Sequence, residues 1–117
     1  MKKSTAAAVV TLAMTAMSNA HAGWVDGNRL REACEARPGT FSEGICVGYI
    51  FGTADMLFDM TKEGASYLGF RACFSNDVKS GELWSVAEEF LDENPQLLHR
   101  GASSLVAQAF AEAFPCT

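Results

Sequence analysis

The residues of this chain that could do chemistry are four cysteines, a lone histidine in the body of the sequence, and a cluster of carboxylates. Cys34, Cys46, Cys73 and Cys116 are spaced too widely for the close C-x2–4-C pairs that a zinc site asks for. They include no Cys-x-x-Cys pair of the kind that tunes a reactive thiol. His99 would have to serve any Ser-His-Asp or Cys-His arrangement by itself. Beside Arg100 and early in a helix, it reads as a surface residue. Glu88, Glu89, Asp92 and Glu93 could supply acid–base pairs. On a helix, however, they fall opposite Leu83 and Phe90, where a solvated face belongs. No phosphate-binding loop is present. The expectation is a protein that is not an enzyme and that takes neither metal nor cofactor.

The cysteines have a better use if the chain is exported, and its start says that it is. Lys2 and Lys3 precede an apolar stretch over residues 6–17, followed by the small-x-small site Ala20-His21-Ala22. That is the three-part pattern of a cleavable signal peptide, too short for a spanning helix of roughly 20 residues. Residues 1–22 are therefore expected to leave, and 23–117 to form a single periplasmic domain with no further contact with the membrane. In an oxidising compartment an even number of cysteines reads as two disulfides, for which counting alone leaves three connectivities open. The formal charge of −5 becomes more negative once the two leader lysines are gone. Such a balance repels nucleic acid and anionic membranes and favours a basic partner.

The elements that must position these cysteines are helices. Asp26 can cap a first helix through "NRLREACEA", with Val25 and Leu30 as its hydrophobic staple. Arg37-Pro38-Gly39 stops it. A second, longer helix spans about 42–62, with Ile45, Tyr49, Ile50, Thr53, Met56, Leu57 and Met60 at helical spacing. Residues 63–79 are irregular. Ser80 can cap a third helix with Leu83, Val86, Ala87, Phe90 and Leu91 inward. Asn94 as N-cap and Pro95 at the first position would start a fourth, whose apolar face runs from Leu98 to Ala113. With no segment of strand period, the expected fold is all-α: a small four-helix bundle, with room for a fifth short turn, stapled by two disulfides.

The second helix carries Gly44, Gly48 and Gly52 on one strip with Asp55, Asp59 and Lys62. Most of the rest of its circumference is apolar. Phe51 and Phe58 extend that surface beyond what the domain's own helices need to cover. They are the expected centre of a homodimer interface.

"CVGYIFGTAD" (from Cys46 to Asp55), Cys73, a helix ending in "ENP" and the terminal "AFPC" together resemble the Rap/Tai family of type VI secretion immunity proteins. The resemblance covers nearly all of the chain after the leader. It implies a small exported helical protein, commonly dimeric, that binds and blocks a cell-wall amidase effector from a neighbouring cell. One difference from the family pattern is Phe74, where members often carry proline directly after the third cysteine. The alternative in another class is a general periplasmic binding or chaperone-like stress protein without a dedicated effector.

For an inhibitor, the loop over residues 64–76 is the natural contact segment, framed by glycines and anchored at Cys73. Tyr67, Phe70, Arg71 and Phe74 are of the types that dominate interface hot spots. Phe70 and Phe74 could equally pack back onto the bundle. Glu88, Glu89, Asp92 and Glu93 would steer a basic enzyme toward the loop. An antiparallel hairpin of the first two helices would bring Cys34 to Cys46, leaving Cys73 to clamp Cys116 near the end of the chain.

Overall fold

The computed structural model describes residues 24–117, so the expected leader at 1–22 lies outside the described residues. The fold is an all-α bundle of α1 (Gly27–Cys34), α2 (Phe41–Lys62), α3 (Ser80–Glu93) and α4 (Ala102–Ala113). A 3-10 turn, Pro95–Leu97, lies between α3 and α4. Among the described residues there is no sheet, only two isolated bridges.

α1 starts where its cap dictates. The Asp26 carboxylate accepts a hydrogen bond from the Arg29 N–H at 2.9 Å, satisfying one orphan donor of the first turn. Leu30 of the staple is fully buried and Val25 packs against the core. Gly39, at φ 81°, turns the chain toward α2. There Thr40 Oγ1 accepts from the Glu43 N–H at 3.2 Å, while the Glu43 carboxylate accepts from the Gly39 N–H at 2.8 Å. The Cys34–Cys46 disulfide closes this antiparallel hairpin.

α2 is the central helix, packed on α1, α3 and α4. Its buried stripe is Cys46, Ile50, Thr53, Ala54 and Leu57. The strip with Gly44, Gly48, Gly52, Asp55, Asp59 and Lys62 is exposed. A Cβ placed on any of the three glycines would meet nothing within 4 Å. From α4, Leu105, Val106 and Phe110 complete the core against Ile50, Leu57 and Leu91, all essentially inaccessible to solvent.

Two boundaries differ from the sequence expectation. The cap of α3 is Lys79 rather than Ser80: the Lys79 carbonyl accepts from Glu82 and Leu83, which makes Ser80 the first helical residue. The fourth helix begins at Ala102, not Pro95. The carbonyls that would have continued a helix from Pro95 are used elsewhere. Arg100 O accepts from the Gly27 N–H at 2.9 Å and Leu98 O from the Asn28 N–H at 3.1 Å. The 98–100 segment thus satisfies orphan donors of α1, and the α4 helix restarts after Gly101. Gly27 makes the approach possible, because a Cβ there would lie 2.8 Å from Leu98 Cα and 2.9 Å from Leu98 O.

Candidate partner-binding surface

The connection from α2 to α3, residues 63–79, has two halves of different character. Its first residues end α2 in a Schellman motif. Gly64, at φ 81°, donates to Thr61 O at 3.0 Å, and Ala65 donates to Met60 O at 2.7 Å. A tight turn follows. Tyr67 and Phe70 exchange both backbone bonds, at 3.0 and 2.8 Å, leaving Leu68 and Gly69 as its central residues. Both have positive φ, 53° and 85°, as in the two-residue type I′ turn.

The second half is pinned down. Ala72 is buried, and its N–H reaches Thr61 Oγ1 at 3.4 Å. Cys73 donates to Phe114 O at 2.8 Å and is disulfide-bonded to Cys116. Phe74 stands edge-on to Phe110, with ring centroids 5.7 Å apart, and lies 5.1 Å from Phe114. Phe74 therefore closes an aromatic trio over the end of α4. Beyond it, Ser75 Oγ donates to the Asp77 carboxylate at 2.6 Å, which holds the Asp77 pKa below its ordinary 3.8.

The residues singled out for partner contact are thus sorted by depth. Phe70 and Phe74 are half-buried and pack against the core, which is the second of the two roles considered for them. Tyr67 is half-buried as well, while Arg71 is exposed. Leu68, which sequence reasoning passed over, is 69% exposed at the tip. The available signal was the Leu-Gly pair between two aromatics, a two-residue turn in which leucine stands where asparagine is usual.

The four acids do not form one patch. Asp92 pairs with Arg31 at 3.2 Å, and Glu88 lines a small recess beside the same arginine. Glu89 and Glu93 border a separate recess with Phe90, Ala109 and Glu112. On α2, Phe51 packs partly into the core, whereas Phe58 is 50% exposed with Lys62 Nζ 6.0 Å from its ring centroid. The exposed glycine strip floors an open groove of about 440 Å³, walled by Ile45, Tyr49, Met56 and Tyr67. Groups of three or more His, Cys, Asp or Glu able to hold a metal ion do not occur among the described residues. No described helix is long and apolar enough to cross a membrane.

His99 is exposed, and none of the described hydrogen bonds links its side chain to a carboxylate. What the fold offers is a tight turn with Leu68 exposed, on a covalently braced frame. No curated protein matches the chain. The model of the Rap1a immunity proteins matches residues 26–116, from the cap of α1 to the last cysteine, and the chain belongs to that family.

Proposed function

We propose that this protein is exported to the periplasm by cleavage of residues 1–22 and there binds and blocks a type VI peptidoglycan amidase effector. Membership of the Rap1a family suggests an immunity role, and the family is generally non-enzymatic. The observation that carries the finer reading is the 63–79 connection. A turn stopped by a Schellman motif on one side and bridged to Cys116 on the other enters a cleft without a large ordering cost. Tyr67 and Arg71 make the direct contacts, with Phe70 and Phe74 as their buttress. Glu88, Glu89, Asp92 and Glu93 contribute a diffuse negative field that speeds encounter with a basic enzyme more than it tightens the complex.

The test is to direct to the periplasm of a host any amidase found encoded beside this gene and score survival. Wild-type protein rescues growth. Tyr67→Ala combined with Arg71→Ala abolishes rescue, with the thermal midpoint lowered by only a few degrees, because the half-buried Tyr67 ring also packs against the core while Arg71 is exposed. A double variant that still protects would remove the loop from the mechanism, and a wild type that fails to bind the amidase would end the immunity reading.

The same proposal includes a homodimer through α2, with Phe58 at its centre and the uncovered edge of Phe51 beside it. A half-exposed phenylalanine next to an open glycine strip is a surface that a second copy would cover. Light scattering at micromolar concentration should give twice the chain mass. Phe58→Glu should return a folded monomer, and a wild type that already runs as a monomer rejects the interface.

A further inference from the structure

We propose that Leu68 is the anchor by which the turn grips its partner, an apolar knob presented beside Arg100 to an apolar recess bordered by carboxylates. This rests on the immunity reading above.

The first ground is a local rule that the chain breaks. A two-residue turn with positive φ at both centres suits Asn-Gly or Gly-Gly, because a larger side chain crowds its own carbonyl there. Gly69 fits that requirement and Leu68 does not. Leu68 is the one non-glycine residue with positive φ among the described residues. Burial does not repay the strain, since the side chain is 69% exposed while both flanking aromatics pack inward. A conformation that costs the fold and leaves most of the side chain in solvent points to a use outside the fold.

The second ground is the surface around it. Leu68 lines an open depression of about 520 Å³ together with Trp24, Tyr49, Tyr67, His99 and Arg100. Trp24 is fully exposed. The chain has 14 acidic residues, yet none of them lines this depression. Arg100 has no ion-pair partner among the described residues. In an acidic protein this is a depression of mixed aromatic and polar lining, Ser103 and Ser104 included, with an unpaired cation at its margin and no acid. The complementary partner surface takes the leucine into an apolar recess and sets a carboxylate opposite Arg100.

Calorimetric titration against the amidase that the survival test identifies as blocked, or failing one against any amidase encoded nearby, tests this, with thermal midpoints measured for every variant. Leu68→Asn should weaken binding about tenfold or more. Because asparagine tolerates the left-handed backbone, its midpoint should hold or rise by about 4 °C. Leu68→Met, which keeps an apolar knob, should stay within about threefold of wild type. Arg100→Glu should weaken binding severalfold, and by less at high salt, where the local repulsion is screened. If wild type binds and Leu68→Asn binds equally well, the anchor is wrong and the immunity reading survives. If Leu68→Asn loses binding and midpoint together, the leucine is structural and the proposal fails. If wild-type protein does not bind, the immunity reading falls and the anchor with it.

Discussion

The two disulfides of this protein join Cα atoms at nearly the same distance, 4.9 Å for Cys34–Cys46 and 5.1 Å for Cys73–Cys116, yet they hold the chain in opposite ways. Cys34 and Cys46 are in the core, 9% and 0% exposed, between two helices that already pack on each other. Cys73 and Cys116 are both exposed, in segments without regular structure. The first bridge spans 12 positions and the second 43. On chain entropy alone the longer loop gains more, about 4 against about 3 kcal/mol. Burial pulls the other way: the inner bridge is also a packing element, whereas the outer one acts only as a tether. One region is held by packing with a covalent addition. The other owes its position mainly to the covalent link and the aromatic trio.

Breaking the inner bridge should therefore have the largest effect. Cys34→Ala with Cys46→Ala removes the loop constraint and leaves two small voids against Leu30 and Ile50. The expected loss is about 5 kcal/mol, about 3 from the loop constraint and about 2 from the lost packing, which lowers the thermal midpoint by roughly 25 °C in a domain of this size. Thermal unfolding measures it directly. A loss under about 1 kcal/mol would show that the hairpin packs equally well without its sulfurs.

Breaking the outer bridge should be milder and local. Cys73→Ala with Cys116→Ala frees the last residues to fray. Hydrogen exchange should then find the backbone amide at position 73, bonded to Phe114 O in the wild type, exposed by local opening, with the α2 amides still protected to the global limit. In the wild type, graded reductant should open Cys73–Cys116 first, since its sulfurs are in reach of solvent while those of Cys34–Cys46 wait for unfolding. Simultaneous loss of both bridges under mild reductant would dissolve the distinction between the two regions.

How much of this could be read in advance follows the same division. The inner region was legible because its signals are local: Asp26 and Leu30 at cap and staple spacing, the Pro38-Gly39 stop, and two cysteines at facing ends of a hairpin. The start of the fourth helix was misread although Asn94-Pro95 is a sound local signal. What overrode it is the pairing of the 98–100 carbonyls with α1, a contact across some 70 positions of sequence. The outer loop was legible as a loop but not in its directions. Large aromatics suggested contact residues, yet Phe70 and Phe74 turn inward because the Tyr67–Phe70 turn and the Cys116 tether decide which way each faces. Leu68 is left pointing out by that geometry and not by its type.

The smallest expected effect sharpens the comparison at the outer region's far edge, where electrostatics alone can be read. Asp77 is fully exposed and accepts from Ser75 Oγ, a bond that favours the ionised carboxylate and lowers its pKa from 3.8. A depressed carboxylate contributes its stability above the unfolded pKa and loses it as pH falls through the lower folded value. Asp77→Asn should therefore differ slightly from wild type in denaturant midpoint at neutral pH, with the difference closing as the solution is acidified below 3.8. A gap between Asp77→Asn and wild type that persists unchanged into strong acid would mean that the Ser75 turn works through shape and not through charge.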